Sequence, residues 1–388
     1  VAKLFIIDSG SGERIPFLRG VLVESLVRAG LSFQEAYLLA QTIRGNLEHD
    51  AEISTDTLKK RVTAEVRERF GPSIAQVYEL GPSRERQIMV QTDTDVIPFS
   101  VGILSRSLQA CAINRTDSLA TVKQVHESLQ KGTTQIIHHV TLRNIVYEHL
   151  QRHCSQAAAD RFLSWRRFKE SGHPLIVLVG GITGTGKSTF TTELAYQLSI
   201  VRTQSTDMMR EIVRCYLPAK EVPSLAYSSF EAWRGLSKST DTGQEYDDEE
   251  VIKGFLNQFR VVKHGLEATI HRAVKENHDL IVDGVHVLPW KLNFDFEVDQ
   301  AIVVPLMLVV PNKKTLSKRL KYRERVQPAR SASRYLKQLD QIWTLQSYLV
   351  STAEVQNIPL IFNGDKEEAL SEILLHINKM VMRQFPVK

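Results

Sequence analysis

With 388 residues, 43% of them hydrophobic and 24% charged, the chain is long enough for two or three hydrophobic cores and has the makeup of an ordinary globular protein. Its formal charge of +5 is small for this length, and the basic residues are dispersed except at 313–334, which argues against a nucleic-acid partner and for a small polyanion. No stretch approaches the roughly 20 uninterrupted apolar residues that span a bilayer, and the first residues lack the order of a secretory leader, so a cytoplasmic location with no membrane contact is expected.

The chain opens with Leu4-Phe5-Ile6-Ile7 and a turn at Asp8-Ser9-Gly10-Ser11-Gly12, a short strand leading into a hairpin. Apolar residues at three- and four-residue steps follow (Val21, Leu22, Leu26, Ala29), the mark of an amphipathic helix. When the segment from Ile15 is laid over that from Ile97, Ile-Pro-Phe recurs, then Gly20/Gly102, Leu22/Leu104, Ser25/Ser107 and Leu26/Leu108. After a two-residue insertion the match resumes with Leu58/Leu142, Val62/Val146, Ala75/Ala159 and Tyr78/Phe162. Two copies of one mainly helical module are therefore expected, at 1–82 and 83–170, separated by the turn-forming Gly81-Pro82-Ser83. Cys111, Cys154 and Cys215 are far apart with no CxxC spacing, which argues for reduced structural thiols rather than a zinc site or disulfides.

Helical periodicity over 142–168 ends at the breaker cluster Ser171-Gly172-His173-Pro174, the expected start of a third domain at 171–388. There apolar runs at 175–179, 280–282, 302–310 and 359–362 alternate with amphipathic segments, which predicts an α/β domain with a parallel sheet flanked by helices. After the first of these runs comes Gly181-Ile182-Thr183-Gly184-Thr185-Gly186-Lys187-Ser188, with a helix following. This is the G-x-x-x-x-G-K-[ST] pattern of a P-loop, in which backbone N–H groups and a helix N-terminus face phosphate oxygens. ATP is the expected ligand, Lys187 the residue that reaches its β- and γ-phosphates, and Ser188 a hydroxyl ligand to Mg²⁺. Asp283, ending the run Leu280-Ile281-Val282, is the expected second acid at the metal, with Gly284 allowing close approach. His286 is open between structural, phosphate-contacting and catalytic roles.

Ser205-Thr206-Asp207 reads as a helix start that aligns Asp207, Arg210 and Arg214 on one face, where an acid would orient or deprotonate an acceptor hydroxyl and arginines would grip an anion. The basic run Lys313 to Arg334 reads either as a lid that closes over ATP or as a solvated helix. In the lid reading, Arg319, Arg323 and Arg334 are the candidates to approach the transferring phosphoryl.

Taken together, these residues resemble the 2-phosphoglycerate kinases and the related plant low-phytic-acid P-loop proteins, over nearly the whole chain. The resemblance rests on 180–189, which adds Thr189 to the nucleotide loop, on Ser205 to Arg214, on Asp283-Gly284-Val285-His286, and on Pro223-Ser224-Leu225 with Ser228-Ser229-Phe230-Glu231-Ala232-Trp233. It implies ATP-dependent phosphorylation of 2-phosphoglycerate to 2,3-bisphosphoglycerate, with Ser228, Ser229 and His286 among the substrate-binding residues. The front repeat resembles the ATP-cone, through Ile15-Pro16-Phe17 with Gly20 and Ile97-Pro98-Phe99 with Gly102. Ile6-Ile7-Asp8 stands where ATP-cones carry a basic pair, and Asp283 stands where the kinases more often have Glu. Another phosphorylated polyol such as an inositol phosphate, or a nucleotide-sensing regulatory role without turnover, are the alternatives at this stage, and a homo-oligomer is compatible with the repeat.

Overall fold

The computed structural model describes residues 4–10, 12–47, 52–80, 87–132, 135–218, 220–236, 247–297, 299–326 and 332–387. They fall into two compact units, Val1–Phe99 with Leu129–Ile137, and Ser100–Ser128 with His138–Lys388. The turn expected at Gly81-Pro82-Ser83 lies outside the described residues, and the expected boundary at 170–171 falls within the second unit. Among the described residues no helix is long and apolar enough to cross a membrane.

The first copy of the repeat runs β1 (Phe5–Ile7), β2 (Arg14–Pro16), α1 (Arg19–Arg28), α2 (Phe33–Asn46), β3 (Glu52–Ser54), α3 (Thr55–Phe70) and α4 (Pro72–Leu80). β1 is the middle strand, antiparallel to β2 and parallel to β3. Ser32 and Glu35 form a capping box at the start of α2, and Ser54 caps α3, so each helix begins where a hydroxyl can take an orphan N–H. The second copy repeats the order with β4 (Met89–Gln91), β5 (Val96–Pro98), α5 (Val101–Ala110), α6 (Arg115–Lys131), β6 (Ile136–His138), α7 (His139–His153) and α8 (Gln156–Ser171). The recurring apolar pairs have a packing reason: Leu26 and Leu108, Val62 and Val146, and Ala75 and Ala159 are all fully buried. β3 and β6 carry too few residues to show alternation, and the sequence does not announce them.

The rest of the second unit is built on five parallel strands in the order β11-β10-β7-β9-β8. These are β7 (Leu175–Gly180), β8 (Arg202–Ser205), β9 (Leu280–Gly284), β10 (Ile302–Val309) and β11 (Leu360–Phe362). β7 and β9 are buried along their whole length, because helices cover both faces of the sheet, and that is why they read as unbroken apolar runs. β8 is the exception: Arg-Thr-Gln-Ser on an edge, mostly exposed, with no apolar signal to find. The covering helices are α9 (Lys187–Leu198), α10 (Thr206–Tyr216), α11 (Asp248–Lys275), α12 (Lys313–Val326), α13 (Ala332–Lys337), α14 (Leu339–Val355) and α15 (Lys366–Gln384).

The 28-residue α11 starts on an Asp247 cap with Asp248, Glu249 and Glu250 in its first turn, where acids meet the positive end of the helix dipole. Its buried stripe, Val251, Phe255, Gln258, Phe259, Val262, Leu266 and Ile270, lies against the two short 3-10 turns Pro223–Ala226 and Ala232–Gly235, and its apolar members share one core with Ile176 and Leu178 of β7 and Leu280 and Val282 of β9. Gly254 makes that last contact possible, since a Cβ there would stand 2.2 Å from the Trp233 nitrogen. In most helix interiors Gly→Ala stabilises. Here Gly254→Ala is expected to destabilise by about 1–3 kcal/mol through overpacking, read as a lower thermal-unfolding midpoint; a raised midpoint would show that helix and turn can part freely.

Candidate active site

All five strands point their carboxyl ends the same way, so the segments leaving them meet at one edge of the sheet, the usual place for a ligand crevice in an open α/β sheet. The glycine-rich loop 181–186 leaves the central strand β7 and feeds α9. Gly181 and Gly186 sit at φ 140° and 96°, conformations that side-chain-bearing residues rarely adopt. Gly181 also passes so close to β10 that a Cβ would be 2.4 Å from the Leu308 carbonyl oxygen, and at Gly186 it would be 2.7 Å from Asn363 Nδ2.

The loop is braced from behind. Thr185 Oγ1 donates to the Ile182 carbonyl at 3.0 Å, while the Thr185 carbonyl accepts from Asn363 Nδ2 at 2.7 Å and from Arg319 at 3.2 Å. Arg319 also donates to the Asn363 carbonyl, so its guanidinium ties the loop to the end of β11. Buried Leu316 and Leu320 lie on the same side of α12, over Gly184. The inner face of the basic helix is thus packed on the loop, and among its described side chains Lys313, Lys314, Lys318, Lys321 and Tyr322 are exposed.

In front of the loop, charges of both signs gather. Lys187, the first residue of α9, donates from Nζ to the Ile182 carbonyl at 2.7 Å. Burial lowers its pKa, opposed by the charges of Asp207 and Asp283. Asp283, next to last in β9, is buried; burial raises its pKa, Asp207 adds to the rise, and Lys187 together with a hydrogen bond from Ser188 opposes it. Asp283 and Ser205 are register partners across β9 and β8, which brings Asp207, two residues on, to the same mouth. Ser188, Thr189 and Asp207 are exposed there, Thr183 is half-buried, and Thr185 is fully buried behind them.

A second wall comes from α10 and the two 3-10 turns. Ser205 caps α10, and the helix carries Asp207, Arg210 and Arg214 as its pattern predicts. Arg210, however, is turned inward: it donates to the carbonyls of Leu225 at 2.9 Å and Tyr227 at 3.1 Å and pairs with Glu211. Glu211 also holds Arg214, half-exposed, at 2.6 Å. Ser228 and Ser229 are part-buried between the turns, and Arg334 of α13 reaches across to Ser228 at 3.0 Å and to buried Glu231. The side chain of Arg323 lies outside the described residues.

His286 is completely buried beneath this wall, between Thr206 Oγ1 at 3.4 Å and Gln258 Oε1 at 2.8 Å, and burial above all pushes its pKa down to about 4. It is a neutral histidine bonded to protein groups. The sequence does not point to Asn363, Gln258 or Glu231 as site residues, because each acts through a partner 28 or more positions away, beyond any helical or strand period.

No protein-family model matches the chain. It is 35% identical over 278 residues to the 2-phosphoglycerate kinase of Pyrococcus furiosus, an alignment that covers 72% of this chain and 88% of that one. The 2-phosphoglycerate kinase of Pyrococcus horikoshii is 34% identical over 74% of this chain and 92% of its own. That of Methanopyrus kandleri is 31% identical over 77% and 90%.

Asp283 carries a measurable cost for its position. Its folded pKa lies above the ordinary 3.8, so the folded protein holds the proton more tightly than the unfolded chain. The stability this group contributes is complete below about pH 3.8 and is lost as pH rises through the folded value. Asp283→Asn is therefore expected to raise the thermal midpoint at pH 7 by more than it does near pH 4; an equal or opposite effect at the two pH values would show that its neighbours fully offset the burial.

Proposed function

The chain belongs to the 2-phosphoglycerate kinase family, and from that premise we propose that it transfers the γ-phosphoryl of ATP to the free hydroxyl of 2-phosphoglycerate, giving 2,3-bisphosphoglycerate and ADP. The observation that carries this reading is the meeting of one amine, Lys187, with two carboxylates, Asp207 and Asp283, at the mouth of a loop whose glycines leave no room for a Cβ. That loop fits a triphosphate as a P-loop does, with backbone N–H groups rather than side chains for the phosphates to approach.

In this reading Gly181, Thr183, Gly184, Thr185, Gly186, Lys187, Ser188 and Thr189 form the nucleotide cradle. Lys187 exchanges the Ile182 carbonyl for the β- and γ-phosphate oxygens. Magnesium, when bound, neutralises charge on the phosphates; Ser188 and Asp283, two oxygen donors already hydrogen-bonded to each other, are the residues that would hold it. Asp207 orients the acceptor hydroxyl and takes its proton as the new O–P bond forms, the γ-phosphorus separates from the bridging oxygen, and ADP leaves. Arg214 and Arg334, which hold carboxylates and a serine hydroxyl on the second wall, are suited to the acceptor's phosphate and carboxylate. Ser228 and Ser229 lie beside them. Arg319 acts as a brace on the loop, and Arg210 as a brace on the wall.

The two front segments, 1–82 and 83–170, we read as ATP-cone-like modules ahead of a kinase domain at 171–388. The matching order of elements and the matching buried residues support their common origin.

Purified protein is expected to release ADP from Mg-ATP only when 2-phosphoglycerate is present and to form 2,3-bisphosphoglycerate, followed by phosphorus NMR. Lys187→Ala should lower kcat by at least about 100-fold, the scale of one lost charge-stabilising group. Arg334→Ala should chiefly raise the KM for 2-phosphoglycerate. Turnover of an inositol phosphate in place of 2-phosphoglycerate would overturn the acceptor assignment while leaving phosphoryl transfer standing.

A further inference from the structure

Behind the second wall lies a closed ring of hydrogen bonds that links two of the motifs through Gln258, a residue outside them. Thr206, His286 and Gln258 are each completely buried, and they come from the start of α10, the segment after β9 and the middle of α11. The Gln258 amide nitrogen donates to the carbonyls of Ser224 at 2.7 Å and Tyr227 at 3.0 Å. Its Oε1 is therefore the acceptor facing His286 Nε2 at 2.8 Å, which fixes the proton on Nε2. In the neutral ring Nδ1 is then an acceptor, and the Thr206 hydroxyl donates to it. Arg210, one turn along α10 from Thr206, donates to the same Tyr227 carbonyl and closes the ring. Burial keeps His286 neutral, as the donor order requires.

Two features show that the ring is built in. Gly284 is the residue that admits Thr206: a Cβ there would fall 1.7 Å from Thr206 Oγ1. Ser224 Oγ donates to Asn257, next to Gln258 on α11, so the turn is held at a further point. The ring joins two residues whose neighbours do the work at the surface, Thr206 before Asp207 and Tyr227 before Ser228.

Resting on the reading that Asp207 and the Ser228 segment receive the acceptor, we infer that Thr206, His286 and Gln258 are positioning residues that set the spacing between Asp207 and Ser228–Ser229, and so the fit of the acceptor rather than of ATP. None of the three touches substrate. The Thr206 hydroxyl and the Gln258 amide act through His286 and the Tyr227 carbonyl. A donor removed from a buried network leaves its acceptor unpaired, and the chain relaxes at the weakest tie, here the short turns at 223–235.

The test compares Thr206→Val, Thr206→Ser and Gln258→Glu in the full-length chain, using ATP and 2-phosphoglycerate. Valine keeps the shape of threonine without the hydroxyl, and glutamate replaces the amide donor to Ser224 and Tyr227. Thr206→Val and Gln258→Glu should raise the KM for 2-phosphoglycerate about tenfold, the scale of one broken buried hydrogen bond, with the KM for ATP within about twofold of wild type. Thr206→Ser should return the wild-type value. Unchanged KM for 2-phosphoglycerate in Thr206→Val, an equal rise in both KM values, or no rescue by serine would each overturn the inference. Should Gln258→Glu not fold, the Val and Ser pair decides alone. If wild-type protein turns over no 2-phosphoglycerate, the acceptor reading fails by itself. Hydrogen–deuterium exchange over 223–235 then decides on the ring: faster exchange in Thr206→Val but not Thr206→Ser supports it, and equal exchange in both refutes it.

Discussion

An ammonium group and two carboxylates share the carboxyl edge of a buried parallel sheet, and the remainder of the second unit is arranged to keep them there. Burial works against two of these charges: it lowers the pKa of Lys187 and raises that of Asp283, and each of the two offsets part of the other's loss. Such a cluster is a poor way to hold a fold together and a good way to await a highly charged ligand, since the groups need little reorganisation when phosphates arrive. The strain is met elsewhere, by the apolar interior of β7, β9 and β10 and by the long stripe of α11.

Rigidity at the edge comes from ties between main-chain atoms and distant side chains. Arg319 and Asn363 converge on the Thr185 carbonyl, so the glycine-rich loop is anchored on the side opposite its open face. Gln258 and Arg210 converge on the Tyr227 carbonyl in the same manner, fixing the second wall from below. In both places a planar group with several donors is spent on backbone oxygen, which leaves the hydroxyls of Ser188 and Ser228 and the carboxylate of Asp207 free of that task. Arg334 spans the mouth from α13 to Ser228 and Glu231, a contact a ligand anion would compete for.

How much of this could be read from residues alone follows the range of the physics involved. The loop, its strand and its helix are local, and Gly181 through Ser188 announced them. The same holds for Asp283 after an apolar run and for the α10 start at Ser205-Thr206-Asp207. The front repeat was legible because its buried positions recur, as Leu26 with Leu108 and Val62 with Val146 show. β8 was invisible because a polar edge strand carries no alternation. The basic run leaves Arg319 open between a lid residue near the reacting phosphoryl and a solvated one, and the structure shows it on two backbone carbonyls, a distinction that composition cannot make. His286 is open in the sequence between a structural and a substrate-contacting role, and what places it in the interior is visible only in its hydrogen bond to Gln258, 28 positions away on another element.

The central claim is that one edge of the sheet receives two anions, a triphosphate on the loop and a smaller phosphorylated acid on the facing wall. A crystal structure of the protein with a non-hydrolysable ATP analogue, magnesium and 2-phosphoglycerate tests it most directly. The account predicts the terminal phosphates between the 181–188 backbone and Lys187, with the acceptor hydroxyl facing Asp207. A triphosphate bound instead at the opposite edge, in the cavity of about 670 Å³ lined by His173, His271 and Lys275, would contradict it.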